Sequence, residues 1–264
     1  MKTEKYKDIK VNRKGFIEEI ILSRPLALNA LSKNLISELL EEIRRVEKDE
    51  TIRLVVLKSG INKAFCVGAD LKERAAFRKK DVKSFLGRLN DITNRIEDSR
   101  LIYIAEVNGY AMGGGLEIVL ACDFCIATKN SIFSLPEVKI GVIPGAGGTA
   151  RIIEKCGLNK GKEIVLLGDQ IKAEKALEYG IVNEVVKNED ELERSVIEYI
   201  EKLKRCAPLS LSYAKKCLNF SFKKYRNEVL KHEKEHYKKL IDTKDRKEGI
   251  RAFFEKRKAK FKGE

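Results

Sequence analysis

Only two histidines occur in the 264 residues, and both fall in one pentapeptide, HEKEH at 232–236. A Ser-His-Asp relay is therefore hard to build anywhere in the chain. The pentapeptide matches HExxH, a zinc-protease pattern. Lys231, Lys234, Lys238 and Lys239 surround it, however, and leave no apolar face to shield a metal, so it reads as exposed helix. Long apolar stretches are missing too. The longest charge-free run, IGVIPGAGGTA at 140–150, falls far short of the roughly 18 residues of a membrane span. The opening MKTEKYKDIK lacks the apolar segment of a signal peptide, which points to the cytoplasm. Cys122 and Cys125 form one CxxC, but no second pair or nearby histidine completes a metal site, and the six cysteines read as reduced thiols. GVIPGAGGT is followed by no Gly-Lys-Ser/Thr, and GGGLEI has Ile118 where a dinucleotide fingerprint needs its third glycine. Metal, P-loop and dinucleotide chemistry are all unexpected.

What is present is a 43% hydrophobic chain, which can bury a full-sized core. Its net charge of +14 is uneven: residues 201–264 hold 21 Lys or Arg against 9 acids, and the first 200 hold 33 against 31. A basic excess of that kind suits phosphate-bearing partners, or is a lysine-rich helical surface. KDIKV and FIEEIILSR read as strands about the turn NRKG. SKNLISELLEEIRRVEKDE repeats its apolar residues with a 3.6-residue period from an N-cap at Ser32, and IRLVVLKS reads as a buried strand. Strand, strand, helix units then recur, which predicts a layered α/β fold. From Pro208 only helical segments follow: LSLSYAKKCLNF, a Lys/Glu-rich stretch at 222–240, and DRKEGIRAFFEKRKAKF. These patterns divide the chain into an α/β core, 1–203, and a helical segment, 204–264.

Two acids stand in glycine-rich surroundings. Glu117 follows AMGGG just inside a helix, and Glu137 follows Pro136 in SLPEVKIGVIPGAGG. A third stretch, NKAFCVGADLKE, follows the strand IRLVVLKS and contains Gly68, Asp70 and Leu71. Glycines let backbone N–H groups approach a ligand, and the first turn of a helix offers unpaired N–H donors at a positive dipole end. A donor from the GGG turn and one from the GAD loop could grip a carbonyl oxygen that becomes an oxyanion, each worth about 2.7–4 kcal/mol. Two carboxylates opposite could hold a water and pass a proton.

AFCVGADLKE, VNGYAMGGGLEIVLACD, FSLPEVKIGVIPGAGGTAR and DRKEGIRAFFEKRKAKFKGE, in this order and spacing, resemble the enoyl-CoA hydratase/isomerase (crotonase) superfamily along essentially the whole chain. The resemblance implies a spiral of ββα units, a C-terminal helical trimerisation segment, and a homotrimer or homohexamer. It implies an acyl-CoA thioester substrate and no metal or redox cofactor. By position, the N–H groups of Ala69 and Gly114 would form an oxyanion hole, with Gly113 supporting the turn. Glu117 would activate the water that attacks C3, Glu137 would protonate C2, and Gly145 would help hold Glu137 or the water. Lys72 would lie near the adenosine end of CoA, and Tyr237 and Lys256 would line the CoA cleft or acyl tunnel. Keeping both acids favours hydration of trans-2-enoyl-CoA over isomerisation. ALNALSKNLI, GADLKERA and FKGE look particularly like the methylglutaconyl-CoA hydratase branch, some members of which bind AU-rich RNA through a lysine comb on the first helix. Lys33, Ser37 and Glu41 occupy the comb positions here beside Glu38 and Glu42, so RNA binding is not expected. Ser134-Leu135 replaces the Gly-Gln usual in short-chain hydratases.

Overall fold

The computed structural model describes residues 5–264, so the first four residues of the MKTEKYKDIK stretch lie outside it. β1 (Ile9–Lys14) and β2 (Ile17–Leu22) pair antiparallel about Gly15, whose φ of +63° is the left-handed conformation a tight turn asks for. α1 (Lys33–Lys48) starts where the side chain of Ser32 accepts the Leu35 N–H at 3.1 Å. Its apolar residues Leu35, Ile36, Leu39, Ile43 and Val46 are all buried, as the period predicts.

Three turns of a spiral follow. The first contains β3 (Leu54–Ser59), β4 (Ala64–Cys66), the short α2 (Leu71–Ala75) and α3 (Lys79–Asp98). The second contains β5 (Ile102–Val107), β6 (Tyr110–Met112) and α4 (Gly114–Ala121). The third contains β7 (Phe124–Thr128), β8 (Ile132–Ser134), a 3-10 turn at Glu137–Ile140 and α5 (Gly148–Leu167). Each turn gives its first strand to a six-stranded sheet, ordered β1-β2-β3-β5-β7-β10, and its second to a four-stranded sheet, ordered β4-β6-β8-β9. The repeated ββα unit expected from the sequence is thus a unit that feeds both sheets in parallel register. β9 (Ile171–Lys172), α6 (Ala173–Glu178), β10 (Glu184–Val186) and α7 (Glu189–Lys204) close the core. The main apolar cluster joins α1, α3 and α4 to both sheets.

α8 (Pro208–Leu240) is one helix of 33 residues, so the two segments read separately at 209–220 and 222–240 are continuous. It packs on α5 and α3. α9 (Lys244–Phe254) folds back onto the 3-10 turn that begins at Glu137. The contact is close: a Cβ on Gly249 would stand 2.6 Å from the Ile140 carbonyl carbon. No helix of the described residues is long and apolar enough to cross a membrane.

Candidate active site

The site is assembled where the second strands of the spiral end. β6 runs into Gly113, whose φ is +51° and whose N–H bonds Ser134 O at 2.9 Å. A side chain there would be strained by the positive φ, and its Cβ would stand 2.8 Å from Glu137 Oε1. Gly114 is the first helical residue of α4, where the geometry of a helix leaves the N–H without an intrahelical acceptor. Beside it lies the GAD loop. Leu31 brackets Ala69, donating its N–H to Gly68 O at 2.8 Å and accepting from Asp70 N at 3.0 Å. In such a parallel bridge the bracketed residue's own N–H points away from its neighbour. The loop packs against the glycine turn, since a Cβ on Gly68 would meet Met112 O at 2.8 Å and Gly114 N at 3.4 Å. The structure therefore brings together the two backbone donors expected from the sequence.

Glu117 sits one turn into α4 and is buried. Its Oε1 accepts from Ala146 N at 2.7 Å and Gly148 N at 2.9 Å, leaving Oε2 on the Gly114 side. Burial holds its pKa above the usual carboxylate range, and those two amides and the Arg151 and Arg74 charges offset only part of the rise. Glu137 faces the same turn. Its Oε2 is buried and has no hydrogen-bond partner. Burial first, then the charge of Glu117, pushes its pKa up to about 8. Glu117 is held by two amides of a separate loop, whereas Glu137 has its own backbone N–H and one oxygen with no partner, an inequality that drives two neighbouring acids toward opposite protonation states. Glu117 is suited to stay charged and act as a base, and Glu137 to stay neutral and give up a proton.

A third buried carboxylate lies close by. Glu233 accepts from Gly147 N at 2.8 Å and Thr149 N at 3.2 Å, and from the Thr149 hydroxyl. The amides of 146–149 thus alternate between Glu117 and Glu233 along the start of α5. Burial and the charge of Glu117 raise Glu233 to about 7. Glu233 belongs to HEKEH, whose two histidines are exposed as expected. That Glu233 turns inward beside Tyr237, the residue expected at the cleft, was not foreseen. Their four-residue spacing is the one signal available, and both residues are polar.

The remaining expected residues divide. Tyr237 is buried, with its ring 3.0 Å from where a Gly145 Cβ would be and its hydroxyl bonded by Arg74. Gly68 precedes Ala69 in the loop, and Leu71 opens α2 two residues later. Asp70 caps α2 by accepting the Glu73 N–H at 3.3 Å and pairs with Arg24 at 3.1 Å. Within this chain its carboxylate shapes the loop. Lys72 is exposed, and Lys256 is exposed just beyond α9. Within this chain neither is gathered to the carboxylates. Among the described residues no cluster of His, Cys, Asp and Glu is arranged to hold a metal.

A family model described as enoyl-CoA hydratase/isomerase matches residues 12–264. The chain is 39% identical to the enoyl-CoA hydratase, mitochondrial, of Pongo abelii over 96% of its own length and 85% of that protein's. It is 32% identical to the methylglutaconyl-CoA hydratase, mitochondrial, of Mus musculus, over 92% and 78%. A crystal structure of an enoyl-CoA hydratase from Bacillus anthracis superimposes with a TM-score of 0.80 at 37% identity, covering 98% of this chain and all of that one.

Proposed function

The chain belongs to the enoyl-CoA hydratase/isomerase family, and from that premise we propose that it adds water reversibly to trans-2-enoyl-CoA thioesters, giving 3-hydroxyacyl-CoA. The Ala69 and Gly114 N–H groups bind the thioester oxygen as it gains charge, each worth about 2.7–4 kcal/mol. Glu117, with Oε1 fixed by two amides, uses Oε2 to take a proton from a water that attacks C3. Glu137, neutral below about pH 8, delivers its proton to C2. Dehydration runs the same transfers backwards. The substrate brings its own coenzyme A, and the residues supply only proton transfer and oxyanion binding.

The observation that carries this reading is the meeting of Glu117 and Glu137 at one glycine turn with unequal hydrogen bonding. Glu117→Gln and Glu137→Gln are expected to lower crotonyl-CoA hydration by about 1,000-fold or more, within the range of general acid–base loss, with melting curves little changed. Near-full activity in both variants would sink the mechanism. The proposal extends to a homotrimer or homohexamer, supported by the exposed Leu209, Tyr213, Leu218, Phe220 and Phe222 of α8. It also takes the enzyme to act in the cytoplasm without RNA. Lys33 already pairs with Asp81 at 3.1 Å, which supports the second point.

A further inference from the structure

Glu233 is a buried acid that the hydration chemistry does not use, and both of its oxygens are spent on one short stretch of backbone. Oε1 accepts from Gly147 N at 2.8 Å, and Oε2 accepts from Thr149 N at 3.2 Å and from the Thr149 hydroxyl. Glu117 Oε1 takes the alternate amides, Ala146 N at 2.7 Å and Gly148 N at 2.9 Å. Four consecutive N–H groups are thus shared by turns between the base of the reaction and an acid from α8. The carbonyls of the same stretch are pinned as well. Gly145 O accepts from the Asn90 side chain at 2.5 Å, and Ala146 O from the Thr93 hydroxyl at 3.1 Å and from Arg151 Nη1 at 2.9 Å.

These amides open α5, where the first turn has no intrahelical acceptors and the dipole end is positive. A helix usually meets that need with a side-chain oxygen at its N-cap. The N-cap here is Gly147, at φ +90°, where a Cβ would run into the Arg151 guanidinium, so no capping side chain fits. Glu233 supplies the missing acceptor from another helix. The consequence falls on Glu117. With Gly147 N and Thr149 N saturated, Glu117 has only Ala146 N and Gly148 N to hold, and both sit on Oε1. Were Gly147 N and Thr149 N free, two unpaired donors would stand beside a carboxylate whose second oxygen has lone pairs to offer. That oxygen, Oε2, is the one the attacking water needs.

We propose that Glu233 is a positioning residue for the general base. By saturating Gly147 N and Thr149 N, it holds residues 146–149 in the one arrangement that grips Glu117 by Oε1 and leaves Oε2 bare for the water. Glu233 touches no substrate and acts through Glu117 alone. The inference rests on the hydratase reading and deepens it by adding a residue to the same site.

The test is crotonyl-CoA hydration by the full-length enzyme carrying Glu233→Gln or Thr149→Val, each made with and without Glu117→Gln. Glu233→Gln keeps an oxygen for Gly147 N but turns an NH2 toward Thr149, which leaves the Thr149 N–H without an acceptor. It is expected to lower kcat about 30-fold with KM within about twofold, as slight misplacement of a reacting group does. Thr149→Val removes one donor to the same carboxylate and should lower kcat about threefold, again with KM little changed. In the Glu117→Gln background neither change should slow the residual reaction more than about twofold, because nothing is left to position. Losses that multiply in full in that background overturn the proposal, since they report a general loosening of the structure. A rise in KM at unchanged kcat overturns it too, by placing Glu233 in substrate binding. If Glu233→Gln does not fold, the Thr149→Val cycle decides by the same criteria. A wild type that hydrates crotonyl-CoA no faster than Glu233→Gln does defeats this inference alone, whereas a wild type with no hydration defeats the hydratase reading and this inference with it.

Discussion

Below the reacting carboxylates lies α4, with all eight residues from Gly114 to Ala121 buried and only Glu117 among them charged. Above and beside them lie α8 and α9, whose buried residues include Lys215, Arg226, Glu233, Tyr237 and Arg246. The floor is held by close packing of backbone and apolar side chains. The cover is held by charges that find partners deep in the core: Lys215 reaches Asp123 at 2.7 Å, and Arg226 reaches Glu154 and Glu97. The contrast is between steric constraint, which fixes where the amides and Glu117 stand, and electrostatic constraint, which sets the charge each acid carries. Each half can be broken separately.

The largest effect is expected in the floor. A Cβ on Gly115 would stand 2.3 Å from the Cys66 carbonyl oxygen, an atom of β4 that cannot yield without moving the strand. Gly115→Ala should therefore destabilise the protein by more than about 3 kcal/mol, at or beyond the upper end of overpacking costs. The measurement is urea unfolding, or soluble yield if no folded protein survives. A variant as stable as the wild type would show that the floor is not sterically fixed.

The cover should answer differently, through charge. Glu137 must be protonated to act as the acid, so hydration is present below its pKa and lost as pH rises through about 8. Glu233 is one of the groups holding that value up. Glu233→Gln removes the charge and keeps one acceptor oxygen, for Gly147 N, while its NH2 can donate to the Thr149 hydroxyl, so the alkaline limb of the rate profile should move to lower pH. Stability should fall by only about 1–2 kcal/mol, the scale of a charged hydrogen bond made neutral. An alkaline limb that stays in place in that variant would mean that the charge of Glu233 does not reach Glu137.

The same contrast explains what could be read from the sequence. The apolar period of α1, the pairing of β1 and β2 about their turn, and the helix opening from the glycines were all legible, and the structure has them as expected. GAD and GGG were legible because unusual backbone leaves glycine behind. Arg74, Arg246 and Glu233 were not. A buried polar face repeats every three to four residues just as a solvated one does, and Lys234, Glu235 and His236 between Glu233 and Tyr237 make α8 look wet on every side. The charge on residues 201–264 hid ion pairs that close only when α8 meets α5 and α3. The short α2 escaped notice because its five residues have no room for a period.

The smallest effect is expected at the histidines, and it bears on the same comparison because they share a turn of α8 with the buried Glu233. His232 and His236 face solvent with ring centroids 6.2 Å apart, and the His236 Nδ1 lies 2.7 Å from the His232 carbonyl oxygen, its own helix. Of the two carboxylates between them in sequence, Glu233 is turned inward onto Gly147 and Thr149, and so cannot join them about a metal. His232→Ala and His236→Ala should each change stability by less than about 0.5 kcal/mol, as exposed substitutions do. A chelator should leave hydration unaltered in wild type and variants. A loss of activity on chelation, reversed by zinc, would mean that the outer face of α8 takes part in the chemistry and that the division into inward charge and outward solvent is wrong.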